Sequence, residues 1–326
     1  MLGNAAGGTD RRDGQAAARL GAMSPVPSTP LPFASSPPPF GLLLDVDGPI
    51  ANTVTRTIAV PSIVTDLVAL GGAGVPVVFN TGRSADFLWR EVLPPLRDAG
   101  LDPRARVHAV GEKGGTWFSF TEPAGAVHVD PSVQLPAVVA ELVRPLLAGR
   151  YGAHMFLDET KLAMVSLEQS TAVSNDAYLR VQPDFEAELL AALTREGLGW
   201  IHEVYDRRFH PDEHGATPVR VEPTIISTDI QHERSGKALG AERALTLLGA
   251  DGAKPRRWYT VGDTPSDYAM ADWLHEHGHD VVHVDVRPVP RREDPPYAVD
   301  LVDDVEPDLA TARFLAARVA EVGATR

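Results

Sequence analysis

Residues 41–44, Gly-Leu-Leu-Leu, make a short apolar run that ends in two acids, Asp45 and Asp47, with Gly48 behind them. Such a run reads as a strand buried on both faces, the kind found in parallel sheets. Acids at i and i+2 directly after it put both carboxylates at the strand's C-terminal edge. In open α/β sheets that edge is where ligands bind. Asp-x-Asp-Gly also fits a turn that does no more than close a strand, so the pair alone leaves both readings open.

The stretch that follows repeats strand and helix in turn. Apolar residues at Ile63, Leu67 and Leu70 predict a helix near 62–70, stopped by Gly71, Gly72 and Gly74. A second apolar strand at 75–79 ends in Asn80-Thr81-Gly82-Arg83-Ser84, and Ser84 suits the N-cap of a helix through Leu96. Residues 106–110 read as a third strand. This alternation predicts a parallel sheet covered on both faces.

From residue 116 the pattern changes. Strand-like runs at 116–120, 126–129, 155–157, 162–167, 200–204, 219–221 and 224–230 alternate with helical patterns at 137–147 and 185–195. Hairpins with helices predict an inserted α+β unit. The βα rhythm then returns, with helices near 237–248, 266–274 and 309–322 and strands at 258–261 and 280–284.

Three later sites bear on the opening pair. Thr81 ends the second strand and offers a hydroxyl and the Gly82 N–H to an oxyanion; a plain helix-entry turn fits it equally. Lys237 follows Ser235-Gly236 and opens a helix, where its ammonium and the helix N-terminus suit a phosphate. A lone Gly-Lys is also what a solvated surface lysine looks like, and the spacing is not that of a P-loop. Residues 258–261 read as a strand followed by Gly262, with Asp263 and Asp267 across a tight loop at the same sheet edge, where one of them also suits a cap.

Together these motifs resemble the haloacid dehalogenase superfamily, through Asp45-Val-Asp47, Thr81-Gly-Arg83, Lys237 and Gly262-Asp263-x-x-x-Asp267, from about Phe40 to the C-terminus. An insertion between Thr81 and Lys237 is similar to the subgroup with a large α/β cap, which includes trehalose-, sucrose- and mannosylphosphoglycerate-type sugar phosphatases and phosphomannomutases. The segment Glu112-Lys-Gly-Gly115 is similar to the short one that leads into such caps. The expected fold class is α/β: a Rossmann-like parallel-sheet core over 40–115 and 232–326, with an α+β cap over 116–231 that sets substrate specificity.

The resemblance also assigns roles. Asp45 is the expected nucleophile and Asp47 the acid/base; Thr81, the Gly82 N–H, Arg83 and Lys237 are expected on the phosphate or substrate. Mg²⁺ is the expected cofactor, held by Asp45, Asp263, the Asp47 carbonyl, and Asp267 directly or through water. An acid at Asp47 favours phosphoester chemistry, since transporting ATPases of the superfamily carry Thr there and dehalogenases lack that acid. A phosphohexomutase or a binding protein using the same pocket are the rival readings. Pro49 and Ser266 depart from the usual residues at their positions, without removing a catalytic group.

In the cap, Glu159 and Lys161 are similar to a Glu-x-Lys pair that binds sugar hydroxyls in trehalose-phosphate phosphatases; a salt-bridged or solvated hairpin fits them as well. Glu222 and Asp229 compete to complete such a set. Trp200, His202 and Arg220 are candidates for a polar pocket, Trp200 better suited to the cap core. His210 and His214, and His275, His277 and His279, read as solvated loops rather than a zinc site. Arg287, Arg291 and Arg292 read as an exposed loop near the active edge.

Composition limits the partners. A formal net charge of −14 argues against a nucleic-acid or anionic-membrane surface, leaving a small phosphorylated metabolite as the expected partner. There is no cysteine, hence no disulfide. No apolar run reaches the length of about 18 residues needed to span a bilayer. Ala and Gly crowd residues 5–22 and seven prolines fall between Pro25 and Pro39, which predicts a disordered tail over 1–39, with Met23 as an alternative start. A cytoplasmic location is the expectation.

Overall fold

The computed structural model describes residues 37–123, 125–203, 208–287, 294–302 and 304–324. Nearly all of the predicted tail lies outside them, as do Val204, Pro288, Pro290, Arg291 and Arg292. No helix among the described residues is long and apolar enough to cross a membrane.

The chain enters through β1 (Gly41–Leu44), α1 (Pro61–Gly72) and β2 (Val77–Asn80). The Ser84 side chain accepts the Phe87 N–H and caps α2 (Ala85–Phe87), which widens into a π turn at Leu88–Val92 before α3 (Leu93–Asp98). Pro94 and Pro95 supply no N–H to that turn, which removes the bonds that would keep it α-helical. Next come β3 (Val107–Gly111), β4 (Thr116–Ser119) and β5 (His128–Val129).

The inserted unit holds α4 (Ala137–Leu146), β6 (Met155–Leu157), β7 (Val165–Gln169), α5 (Asn175–Arg195), β8 (Trp200–His202), β9 (Arg208–His210), β10 (Val219–Pro223) and β11 (Ser227–His232). The return adds α6 (Lys237–Asp251), β12 (Arg257–Gly262), α7 (Tyr268–Glu276), β13 (Asp280–Asp285), β14 (Ala298–Leu301) and α8 (Pro307–Ala324).

The first sheet runs β14-β13-β12-β1-β2-β3-β4-β5, parallel from β14 through β3 and antiparallel from there. Alternate residues of β1 serve opposite layers, as the pleat requires. Leu42 and Leu44 pack with residues of α1, α3 and α8, and Leu43 with those of α6 and α7. Each is wholly buried, which stabilises the fold by about 2 kcal/mol per side chain. Because β1 lies between β12 and β2, its C-terminal end opens in the middle of the sheet edge.

The second sheet runs β6-β7-β11-β10-β8-β9. Val165, Leu167, Val219, Val221 and Ile230 pack with residues of α4 and α5. The intervening Ser166, Glu168, Arg220, Glu222, Asp229 and Gln231 therefore belong to the other, polar face.

Several boundaries differ from expectation. β4 and β5 extend the first sheet, so the insertion begins near residue 130 and not at 116; an alternating strand does not state which sheet will pair with it. Helix α5 starts ten residues before the predicted 185, capped by Ser174 and running through Pro183. Strands β9 and β14 carry no predicted pattern, being short, edge-lying and largely exposed.

Candidate active site

Asp45 leaves β1 with its N–H bonded to the Val261 carbonyl at 2.9 Å, which ties it to β12, the strand that delivers Asp263. The backbone turns at Gly48, where φ is +91° and any Cβ would collide with the Asp263 carboxylate. Only glycine suits both demands. On the other flank the Thr81 N–H bonds to the Val110 carbonyl at 3.0 Å, and the Thr81 hydroxyl, wholly buried, accepts the Arg83 N–H at 3.1 Å.

Lys237 reaches the same spot from the first turn of α6. Its Nζ lies 2.5 Å from Asp45 Oδ1 and 2.7 Å from Asp267 Oδ1, and donates to the Asn80 carbonyl at 2.9 Å. The Asn80 side chain returns a bond to the Lys237 carbonyl at 2.9 Å, fixing the helix end against β2. Asp267 is wholly buried, and its other oxygen accepts the N–H and hydroxyl of Thr264 at 2.9 and 2.7 Å.

These acids differ in their hold on a proton. Burial alone would raise Asp267, but the Lys237 ammonium and Thr264 keep it below the usual carboxylate range. Asp45 is pushed well up by burial and by the Asp267 charge, against the pull of Lys237. Burial, then Asp267, push Asp263 up to about 7. One ammonium is too little cation for three enclosed carboxylates.

One oxygen from each of Asp45, Asp263 and Asp267 lies within 4.8 Å of the others, the one such group of potential metal ligands among the described residues. Asp263 Oδ1 is buried with no hydrogen-bond partner, a deficit that a cation would repair. An all-oxygen donor set in a cation-poor pocket fits a hard divalent ion such as Mg²⁺. The histidines draw no zinc reading: His210 stacks on the partly buried Trp200 at 5.8 Å, His277 on Trp273, and His214 is exposed.

Asp47 receives three bonds from Arg83, at 2.7 to 2.9 Å from Nε and Nη2. Lys161 also reaches the edge, its Nζ donating to the Gly82 carbonyl at 2.6 Å. Glu159 does not. It points to the outer surface of the cap, where Arg144 grips both its oxygens at 2.5 and 2.8 Å. The turn between β6 and β7, closed by Asp158 Oδ1 on the Thr160 N–H and hydroxyl, sends neighbouring side chains to opposite sides. The expected Glu159–Lys161 pair is therefore split.

Other predicted positions move as well. His202 is buried in the cap, 2.9 Å from Glu186, whereas Arg220 lines the cleft between cap and core. Arg287 is buried against Asp285 at 3.0 Å instead of exposed. Three residues to which no site role was assigned stand here, two of them in the segment Glu112-Lys-Gly-Gly115 that leads into the cap. Lys113 bridges Glu222 and Asp229 at 2.9 and 3.0 Å; its charge and that of Lys161 hold Asp229 low despite burial. Glu168 lies 4.0 Å from Arg83 and 3.7 Å from Arg56. Glu112 is buried beneath the cap, which raises its carboxyl above the usual range. A charged pair between a buried strand and Gly114-Gly115 was the available signal for Glu112 and Lys113.

No family model and no curated protein sequence matches the chain. Solved structures do. The C-terminal domain of C. albicans trehalose-6-phosphate phosphatase is 14% identical over 85% of this chain and 91% of its own, with a TM-score of 0.58. A haloacid dehalogenase-like hydrolase from Bacteroides thetaiotaomicron is 13% identical over 86% and 99%, with a TM-score of 0.55. The chain has the haloacid dehalogenase fold. Asp45, Thr81, Lys237 and Asp267 lie together at the C-terminal edge of its first sheet, and the inserted unit stands beside that edge.

Proposed function

We propose that the protein is a divalent-cation-dependent phosphomonoester hydrolase that works through a phospho-aspartyl intermediate on Asp45 and acts on a sugar phosphate or a similar small polar metabolite. The observation that carries this reading is the meeting of Asp45, Lys237, Asp263 and Asp267 in one buried, cation-poor cluster, with Asp47 and Thr81 beside it.

When bound, Mg²⁺ supplies positive charge that lets a carboxylate approach a phosphate ester. Asp45, Asp263 and Asp267 are the side chains that would hold it. Asp45 Oδ attacks phosphorus, and the ester P–O bond breaks as the new P–O bond forms. Asp47 gives a proton to the departing alkoxide and later takes one from the water that opens the aspartyl phosphate. Arg83 holds Asp47 in this structure, so it must yield to the leaving group before that transfer. Thr81, the Gly82 N–H and Lys237 bear on the charge of the transferring group.

The cleft between cap and core supports the substrate class. It measures about 460 Å³ and is lined by Lys113, Glu203, Arg220, Glu222, Glu233 and Arg234, together with smaller residues and Lys237. None of its described lining residues is aromatic, so a nucleobase finds no aromatic face to stack on. Carboxylates, guanidinium groups and an ammonium instead suit a leaving group rich in hydroxyls.

Phosphate release across a panel of phosphorylated sugars, nucleotides and small acids, with Mg²⁺ and with EDTA, tests the reading. Cation-dependent release from sugar phosphates is expected, and Asp45→Asn is expected to lose it by on the order of 10³-fold or more. A flat panel, or turnover retained by Asp45→Asn in a folded protein, overturns it.

A further inference from the structure

Glu112 lies outside the four motifs and touches no reacting group, yet its surroundings are unusual. Glu112 and Lys113 are consecutive non-glycine residues at φ of +50° and +54°, a left-handed conformation that side chains disfavour and that persists only when neighbours impose it. Here the neighbours are functional. The Glu112 N–H bonds to the Arg83 carbonyl and the Lys113 N–H to the Thr81 carbonyl, both at 3.0 Å, and the Lys113 carbonyl accepts the Gly236 N–H at 2.7 Å, one residue before Lys237.

From this elbow the Glu112 carboxylate reaches into the cap. It accepts the N–H groups of Leu162 at 3.0 Å, Ala163 at 2.7 Å and Met164 at 3.1 Å. Three successive main-chain donors converge on one buried acid, a charge-assisted arrangement. Gly115 permits the close approach, since a Cβ there would stand 2.6 Å from the Ala163 Cβ. Immediately before the gripped segment, the hydroxyls of Thr160 and Ser84 are hydrogen-bonded at 2.8 Å, and Lys161 Nζ donates to the Gly82 carbonyl at 2.6 Å.

We propose that Glu112 is a positioning residue: a carboxylate latch that seats cap residues 160–164 on the loop after β2, residues 81–84, and so places Lys161 against the leaving group. The inference rests on the hydrolase reading for its kinetic part but not for its structural part. Without the latch the cap segment loses its register on the core, and substrates that need the cap lose affinity. Small aryl phosphates, with little for the cap to grip, are spared.

The test uses the full chain and the variants Glu112→Ala and Gly115→Ala, the second a wedge that leaves every charge in place. In Glu112→Ala the amides of Leu162, Ala163 and Met164 are expected to exchange hydrogen at least about tenfold faster, with α5 amides unchanged. The kcat/KM for the best sugar phosphate in the panel is expected to fall about tenfold or more, chiefly through KM, while kcat for 4-nitrophenyl phosphate stays within about threefold. Gly115→Ala is expected to reproduce both effects, and Glu112→Gln, which keeps one acceptor oxygen, to fall between. Unchanged exchange at the three amides overturns the latch, and so does an equal loss on both substrates. If the parent chain turns over no phosphate ester, the hydrolase reading fails and the exchange data alone decide the latch.

Discussion

Two charged clusters face each other across the cleft, and they are built to opposite rules. At the core edge, Asp45, Asp263 and Asp267 share the single ammonium of Lys237, and one Asp263 oxygen has no partner. On the cap face, Glu222 and Asp229 share Lys113, and Glu168 lies near Arg83 and Arg56. The first cluster is short of positive charge and buried, so it stores a demand for a cation. The second is nearly neutral and partly wet, so its charges hold two units together and remain free to exchange partners with a polar ligand. The same residue types thus make a cation-seeking cluster in one place and a contact between cap and core in the other, and the balance of charge against burial separates the two.

Removing the central cation from each cluster is the strongest way to break that comparison. Lys237→Met leaves buried carboxylates facing each other and is expected to cost about 3 kcal/mol or more in metal-free buffer. Lys113→Met leaves acids that still reach water, Lys161 or Ser166, and is expected to cost about 1 kcal/mol. Urea unfolding midpoints at constant slope measure both, and equal costs would erase the distinction.

The two clusters were also unequally legible in the sequence. In a parallel sheet the end of each strand is a fixed place, so acids after β1 and β12 and Thr81 after β2 could be assigned to one edge from local sequence alone. Lys237 was legible for the same reason, as the first residue of a helix in the same rhythm. On the cap face the partners come from different strands and from the core. Glu168 answers Arg83, which is 85 positions earlier, and no local pattern records that. Glu112 was hidden more thoroughly, since its partners are main-chain N–H groups, which carry no side-chain signature. The split of Glu159 from Lys161 was invisible because turn geometry, not spacing, decided it. The extension of the core sheet by β4 and β5 was invisible because alternation names a face and not a neighbour.

The cation demand of the core cluster has a pH signature. Asp263 is pushed up to about 7 without a cation, so below that pH a proton occupies the group the metal needs. Proton and cation compete, and metal affinity must rise with pH through this window. Stabilisation by Mg²⁺, at about 2.7 kcal/mol when its concentration is a hundred times the Kd, is therefore expected to need a higher Mg²⁺ concentration at pH 6 than at pH 8. Thermal melts across a Mg²⁺ titration at the two pH values check this. Asp263→Asn is expected to remove the stabilisation, and a Kd independent of pH in the parent would show that the cluster is not proton-loaded.

The smallest effect separates two cap residues that sit two positions apart. Lys161 donates to the Gly82 carbonyl in the loop after β2, whereas Glu159 spends its charge on Arg144 at the outer surface. Lys161→Ala is expected to raise KM for a sugar phosphate about tenfold with a smaller change in kcat, because it removes a group facing the leaving moiety. Glu159→Ala is expected to leave both constants within about twofold, since an exposed ion pair contributes little and this one faces away from the cleft. Steady-state kinetics on the same substrate compare them directly. A Glu159→Ala effect matching that of Lys161→Ala would mean that the turn between β6 and β7 rearranges when substrate binds, bringing the outward acid into the cleft. An effect confined to Lys161 leaves recognition to the inward face of the cap sheet, where the charge of each acid is already answered by a cation that substrate hydroxyls must displace or share.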